Sequence, residues 1–119
     1  MTADDETARR LEHMLRNIDA AMAIVGDADL RTYLDSFMMQ KASERCLEIV
    51  SEASKHIPEE IKAQHPEIPW QKIRGIGNVF RHHYSVVDDH VVWLTVKVAL
   101  PELRLVIVKL LERYENPRD

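Results

Sequence analysis

The sequence predicts a single all-α domain, a bundle of four to five helices spanning residues 1–119. Three observations carry that expectation. Glycine is scarce, at 3 of 119 residues, and the text is rich in Leu, Ala, Glu and Arg, which favours helices over a turn-dense β fold. Apolar residues recur at spacings of three and four, the period of an amphipathic helix. The length suits one domain whose core buries roughly two thirds of the unfolded surface.

Each element follows from that periodicity. From Thr7 to Val25, Leu11, Met14, Leu15, Ile18, Met22 and Val25 form one apolar stripe, and Asp4, Asp5 and Glu6 suit the positive end of a helix dipole. Gly26-Asp27 breaks the pattern. Asp27 or Asp29 can then cap a long second helix carrying Leu30, Leu34, Phe37, Met38, Ala42, Cys46, Ile49 and Ala53 to about Lys55, the longest uninterrupted rod expected. Pro58, Pro66 and Pro69 bound a connector with a short helical piece from Glu59 to Gln64, because proline is tolerated in first turns but not in helix interiors. Pro69 marks the start of a helix over Trp70–Tyr84. Asp88 or Asp89 caps the next, where Val91, Val92, Leu94, Val98 and Leu100 resume the stripe. The β-branched run there is read as helix rather than strand, since no second strand is available to pair with it. Pro101 is expected to restart or kink this helix before Leu103, Val106, Ile107, Leu110, Leu111 and Tyr114 carry it on.

A formal charge of −4 gives no bulk attraction for a polyanion, so nucleic-acid binding would need a local basic cluster. The single Cys46 cannot form an intrachain disulfide and reads as a buried small hydrophobe. The acidic N-terminal stretch is unlike a signal peptide, and no apolar run approaches the roughly 18 residues of a membrane span. A cytoplasmic protein with no membrane partner is expected.

The stretch WQKIRGIGNVFRHHY, Trp70–Tyr84, concentrates polar chemistry in an otherwise apolar helix. At about 100° per residue, Arg74, Asn78, Arg81 and His82 fall inside one arc of about 100°, opposite Ile73, Ile76, Val79 and Phe80. His82 projects with the arginines, whereas His83 points among the apolar residues. Arginines bind phosphate and offset the charge of a phosphoryl transition state, and a histidine near its ordinary pKa of about 6.5 gives or takes a proton. Such a set can cleave RNA by activating the 2′-hydroxyl, with no metal or other cofactor. The bland alternative is a solvated cationic face with His82 at a helix end. Gly75 and Gly77 imply close approach of a partner helix, here pictured as a second copy across a two-fold axis, or else a bend between Ile73 and Asn78.

At these residues the chain resembles the HepT-like toxins of the HEPN superfamily, all-helical dimeric ribonucleases. The likeness runs through ERCLEIVSEASKHIPEE, IPWQKIRGIGNVFRHHYSVVD and VVWLTVKVALPELR. The resemblance implies a HEPN-like bundle with a long second helix, a homodimer, and an RNA substrate cleaved in a composite groove. The family motif is an arginine, a following asparagine or similar residue, a histidine five positions after the arginine and a tyrosine two further on. Asn78, His82 and Tyr84 match it, and Gly77 stands where the arginine would be. The resemblance thus implies His82 as acid/base and Asn78 beside it, with Arg81 or Arg74 as substitute phosphate clamps. It also implies a minimal nucleotidyltransferase antitoxin that attaches AMP to Tyr84. Trp70 and Trp93 read as core or interface anchors. The departure at Gly77 keeps two other readings open: a non-catalytic HEPN homologue binding nucleotide, RNA or a nucleotidyltransferase, and a purely structural helical dimer.

Overall fold

The computed structural model describes residues 2–82 and 88–115, with the side chains of residues 78–82 and 115 outside that description. Helix α1, Ala3–Val25, starts with a capping box: Asp5 N–H donates to Thr2 Oγ1 and Thr2 N–H to Asp5 Oδ2, each at 3.1 Å. It ends where Gly26 adopts a φ of 51°, a conformation favouring glycine, and donates its N–H to the Met22 carbonyl. Leu11, Met14, Ile18, Ala21 and Val25 are buried along its length.

The expected single rod from Asp29 to Lys55 is two helices. Asp29 caps α2, Leu30–Leu34, by accepting from Thr32 N–H at 2.8 Å. Ser36 then caps α3, Phe37–Ser54, with its hydroxyl accepting from Met39 N–H at 3.1 Å. The serine offers the backbone a local alternative to continued helix, and that competition stops the first helix. At 18 residues α3 is shorter than the 23 residues of α1, so the longest rod is the first helix. The break carries Tyr33 into the core, while Phe37 and Met38, expected on the apolar stripe, stand 70% and 81% exposed.

Helix α4, Glu59–Ala63, follows Pro58, and α5 runs Trp70–His82. Trp70 Nε1–H donates to the His65 carbonyl at 3.0 Å, pinning the start of α5 to the connector. Asp88 caps α6, Asp89–Leu94, by accepting from His90 N–H at 2.9 Å. Thr95–Ala99 form a π-helical turn that leads into α7, Leu100–Glu115. This is how the chain passes Pro101: Leu100 N–H reaches back to the Thr95 carbonyl, and the helix widens just before the residue that has no N–H to donate. The helical reading of residues 91–98 holds, and among the described residues there is no strand.

Helix α1 lies at the centre, packed against α3 on one side and α7 on another, while α5 covers a further face of α3. Helix α7 and the π-helical turn before it run antiparallel along α1, while α6 packs on α2. Trp93 Nε1–H donates to the Ala28 carbonyl at 2.9 Å, Lys97 Nζ to the Gly26 carbonyl at 2.6 Å, and Arg104 pairs with Asp19 at 2.6 Å. Both tryptophans are partly buried against the core, as anchors. Cys46 is buried, and burial pushes its thiol pKa up, away from reactive thiolate. Among the described residues no helix is long and apolar enough to cross a membrane.

Candidate functional site

The site is built on how α5 meets α3. Ser51, fully buried on α3, faces the middle of α5. Its hydroxyl donates to the Arg74 carbonyl at 2.9 Å and accepts from Gly77 N–H at 3.0 Å, so a single side-chain oxygen is bonded to α5 on both sides. The contact is possible only because residue 77 has no side chain. A Cβ there would come within 2.8 Å of Ser51 Oγ and 3.3 Å of Ser51 Cβ. The close approach expected at Gly77 therefore exists, and it is made by α3 of the same chain rather than by a second copy. No break falls between Ile73 and Asn78. Gly75 has no such neighbour, with nothing within 4 Å of where its Cβ would be.

The orientation of α5 follows. Ile73 and Gly77 are buried one turn apart, Ile76 is half-buried, and Arg74 is exposed. The helix continues through Arg81 and His82, so Asn78 and Arg81 stand one and two turns beyond Arg74 in helical register. The side chains of Asn78, Arg81 and His82 lie outside the described residues, as do His83 and Tyr84 altogether. Expectations for how those five side chains point are therefore not tested by the geometry.

Gly77, where the family motif has arginine, is turned toward α3 and walled by Ser51. With the helices packed this way, even a Cβ at position 77 would force Ser51 to shift. Among the described side chains of α5, the exposed cations are Lys72 and Arg74. Ser51 was not singled out from the sequence. The available signal was a hydroxyl on the apolar side of α3, in step with the equally buried Ser43 and Ser54.

A cleft of about 540 Å³ opens between α1 and α3. Arg9, Arg10, His13, Arg45 and His56 line it together with Glu6, Glu48 and Glu52 over a floor of Ile49 and Ala53. Arg45 pairs with Glu48 at 3.1 Å, and the carboxylates balance the arginines, so the lining does not select an anion. Among the described residues no group of three or more His, Cys, Asp or Glu side chains is arranged to hold a metal ion.

An arrangement that is all-helical among the described residues, with an arginine- and histidine-bearing helix locked onto α3, defines a class, and comparison with known proteins agrees with it. Residues 14–110 match the family described as Ribonuclease HepT-like. Relatives include "Probable ribonuclease HepT" of Thermococcus cleftensis, 35% identical over 76% of this chain and 86% of that protein. "Putative RNase MJ0125" of Methanocaldococcus jannaschii is 30% identical over 89% of this chain and 91% of its own length. "Putative RNase TTE0752" of Caldanaerobacter subterraneus is 28% identical over 87% and 92%. No solved structure matches. The chain belongs to the HepT-like ribonuclease family.

Proposed function

We propose that the protein is the HepT-like toxin of a toxin–antitoxin pair, a metal-independent endoribonuclease acting in the cytoplasm as a homodimer with a composite groove. The observation that carries this reading is the exposed Arg74 on a helix that continues in register through Asn78, Arg81 and His82, within a chain whose relatives bear ribonuclease names. In the reaction, a ribose 2′-oxygen bonds to the adjacent phosphorus as the bond to the 5′-oxygen breaks. His82 moves the proton, taking it from the 2′-hydroxyl or giving it to the leaving 5′-oxygen. Arg81 and Arg74 hold the non-bridging oxygens and offset the charge that builds there, and Asn78 adds a neutral hydrogen-bond donor. Tyr84 is the acceptor for AMP from a minimal nucleotidyltransferase antitoxin. The added negative charge beside the phosphate-binding face would repel RNA.

The test is cleavage of single-stranded RNA by purified protein with EDTA present. His82→Ala should abolish cleavage, and Arg81→Ala or Arg74→Ala should lower it by one to two orders of magnitude, about the 1.4–2.7 kcal/mol of a lost charge-assisted contact. Unchanged cleavage in His82→Ala removes the mechanism. A second reading, a non-catalytic homologue that binds RNA, nucleotide or a nucleotidyltransferase, is favoured by one observation: position 77 is a glycine packed so closely on Ser51 that even a Cβ there would force a shift. Salt-sensitive RNA binding without cleavage is its expected signature.

A further inference from the structure

A glycine inside a helix is less favourable than alanine because it loses more backbone freedom on folding, so each one calls for a physical cause. Gly77 has its cause in Ser51. Gly75 has none within the described chain. It stands in the body of α5, its φ is not positive, and no described atom lies within 4 Å of where its Cβ would be. Two residues along a helix amount to about 200° of rotation, so Gly75 faces away from α3 while Gly77 faces it. Whatever the missing side chain makes room for lies outside the fold.

The surroundings define its chemistry. Gln71 and Lys72, four and three residues earlier, flank Gly75 one turn back, and Arg74 adjoins it; all three are exposed. Helix α5 contains no Asp or Glu, in a chain that has 20 of them. The surface around the bare turn is therefore polar and positive, which fits an anionic partner rather than an apolar one. A helical side chain covers the turn N-terminal to its own Cα. Leaving position 75 bare thus uncovers the backbone carbonyls of the turn that holds Gln71 and Lys72, and each such oxygen keeps a second lone pair beyond its helical bond. An occupant of this spot needs a slim hydrogen-bond donor close to a negative charge. A ribonucleotide has both, in its 2′-hydroxyl and its 5′-phosphate.

We propose that Gly75 is a substrate-contacting position: the ribose edge of single-stranded RNA rests on the bare turn Gln71–Gly75, its 2′-hydroxyl donating to a carbonyl uncovered there. The ribose is that of the nucleotide on the 3′ side of the phosphate held by Arg74, so this hydroxyl takes no part in the cleavage itself. The contact rests on the proposed function and adds to it a means of telling RNA from DNA, which lacks the donor. A side chain at position 75 lifts the ribose off the turn and leaves the phosphate contact in place.

The experiment is fluorescence anisotropy of a labelled oligouridylate and of the deoxy oligomer of the same sequence and length. Both are titrated in the His82→Ala background, where the proposed reaction is blocked and the RNA stays whole. The chain with Gly75 should prefer the RNA. Gly75→Ala should lower RNA affinity by about three- to tenfold, the worth of one hydrogen bond, and leave DNA affinity unchanged. It should also raise the melting temperature by about 2–4 °C through helix propensity. The opposite signs identify a contact, because damaged packing would lower stability and affinity together and would affect both polymers alike. Gly75→Gln, with a longer side chain, should lose at least as much RNA affinity. No binding of RNA, equal affinity for RNA and DNA, or unchanged RNA affinity in Gly75→Ala overturns the inference. So does a change of solution mass in Gly75→Ala, which would assign the bare turn to a contact between copies. The two readings fail separately. Cleavage by the native chain with RNA affinity intact in Gly75→Ala removes the ribose contact and leaves the proposed function, whereas RNA binding that depends on Gly75 without any cleavage removes the proposed reaction and leaves the contact.

Discussion

Two glycines two residues apart on α5 have opposite roles. At Gly75 the space is open, so Gly75→Ala should stabilise the protein by about 0.5–1 kcal/mol through helix propensity alone. At Gly77 the same methyl meets Ser51, and Gly77→Ala should destabilise by about 1–3 kcal/mol. Removing the obstacle in Ser51→Gly/Gly77→Ala should recover part of the loss, and urea unfolding of the four chains measures the coupling. Tyr33 gives a pH signature. Its buried hydroxyl bonds to Ser43 Oγ at 2.8 Å, and burial pushes its pKa up to about 12 from 10.0. The folded state thus holds its proton more tightly than the unfolded chain does. The resulting stability is complete below pH 10 and disappears as pH rises toward 12. Tyr33→Phe should flatten thermal stability against pH in that window and should lower neutral stability by about 1 kcal/mol, the worth of one hydrogen bond.

The elements are delimited by caps more than by apolar pattern. Thr2, Asp29, Ser36 and Asp88 each accept backbone N–H groups at a helix start, and only Asp35 and Ser36 separate α2 from α3. Ser36→Ala removes the acceptor for Met39 N–H and should lower stability by about 1 kcal/mol in thermal melts. A rise in melting temperature would show that the helices prefer to fuse. The π-helical turn at Thr95–Ala99 does comparable work ahead of Pro101. It lets the rod continue without a break, keeping Trp93, Lys97 and Arg104 in line with their partners on or just beyond α1.

For the whole molecule, α1 is the shared wall of the core. Ile18 is fully buried at its middle, and Ile18→Ala should cost about 2–5 kcal/mol in denaturant unfolding, against about 1 kcal/mol or less for breaking the exposed Arg104–Asp19 pair. Electrostatics set the expected mode of RNA binding. With a net charge of −4 the chain has no long-range attraction for a polyanion, so the proposed function rests binding on the few arginines of α5. Two arginines per copy imply a slope of log affinity against log salt of about −1.4 for a monomer and about −2.8 for a dimer, at roughly −0.7 per phosphate contacted. Filter binding across a salt series measures it, and a slope beyond about −5 would require a basic surface other than this helix.

The amino-acid text by itself determined the helical class and the breaks at Gly26 and before Trp70, and it narrowed two caps to Asp27 or Asp29 and to Asp88 or Asp89, of which the structure selects Asp29 and Asp88. These are local effects, set by backbone geometry and by hydrogen bonds between near neighbours. It also pointed to α5 through its crowding of arginine, asparagine and histidine, and to the family that the comparison bears out. What only the tertiary structure decided depends on residues far apart in the chain. Ser51 meets Gly77 from 26 positions away, which turned an expected contact between copies into a lock within one chain. The corner at Asp35 and Ser36 turned an apolar stripe outward because burial there depends on where α6 comes to rest. Periodicity records which side chains share a face; what covers that face is settled only when the helices pack.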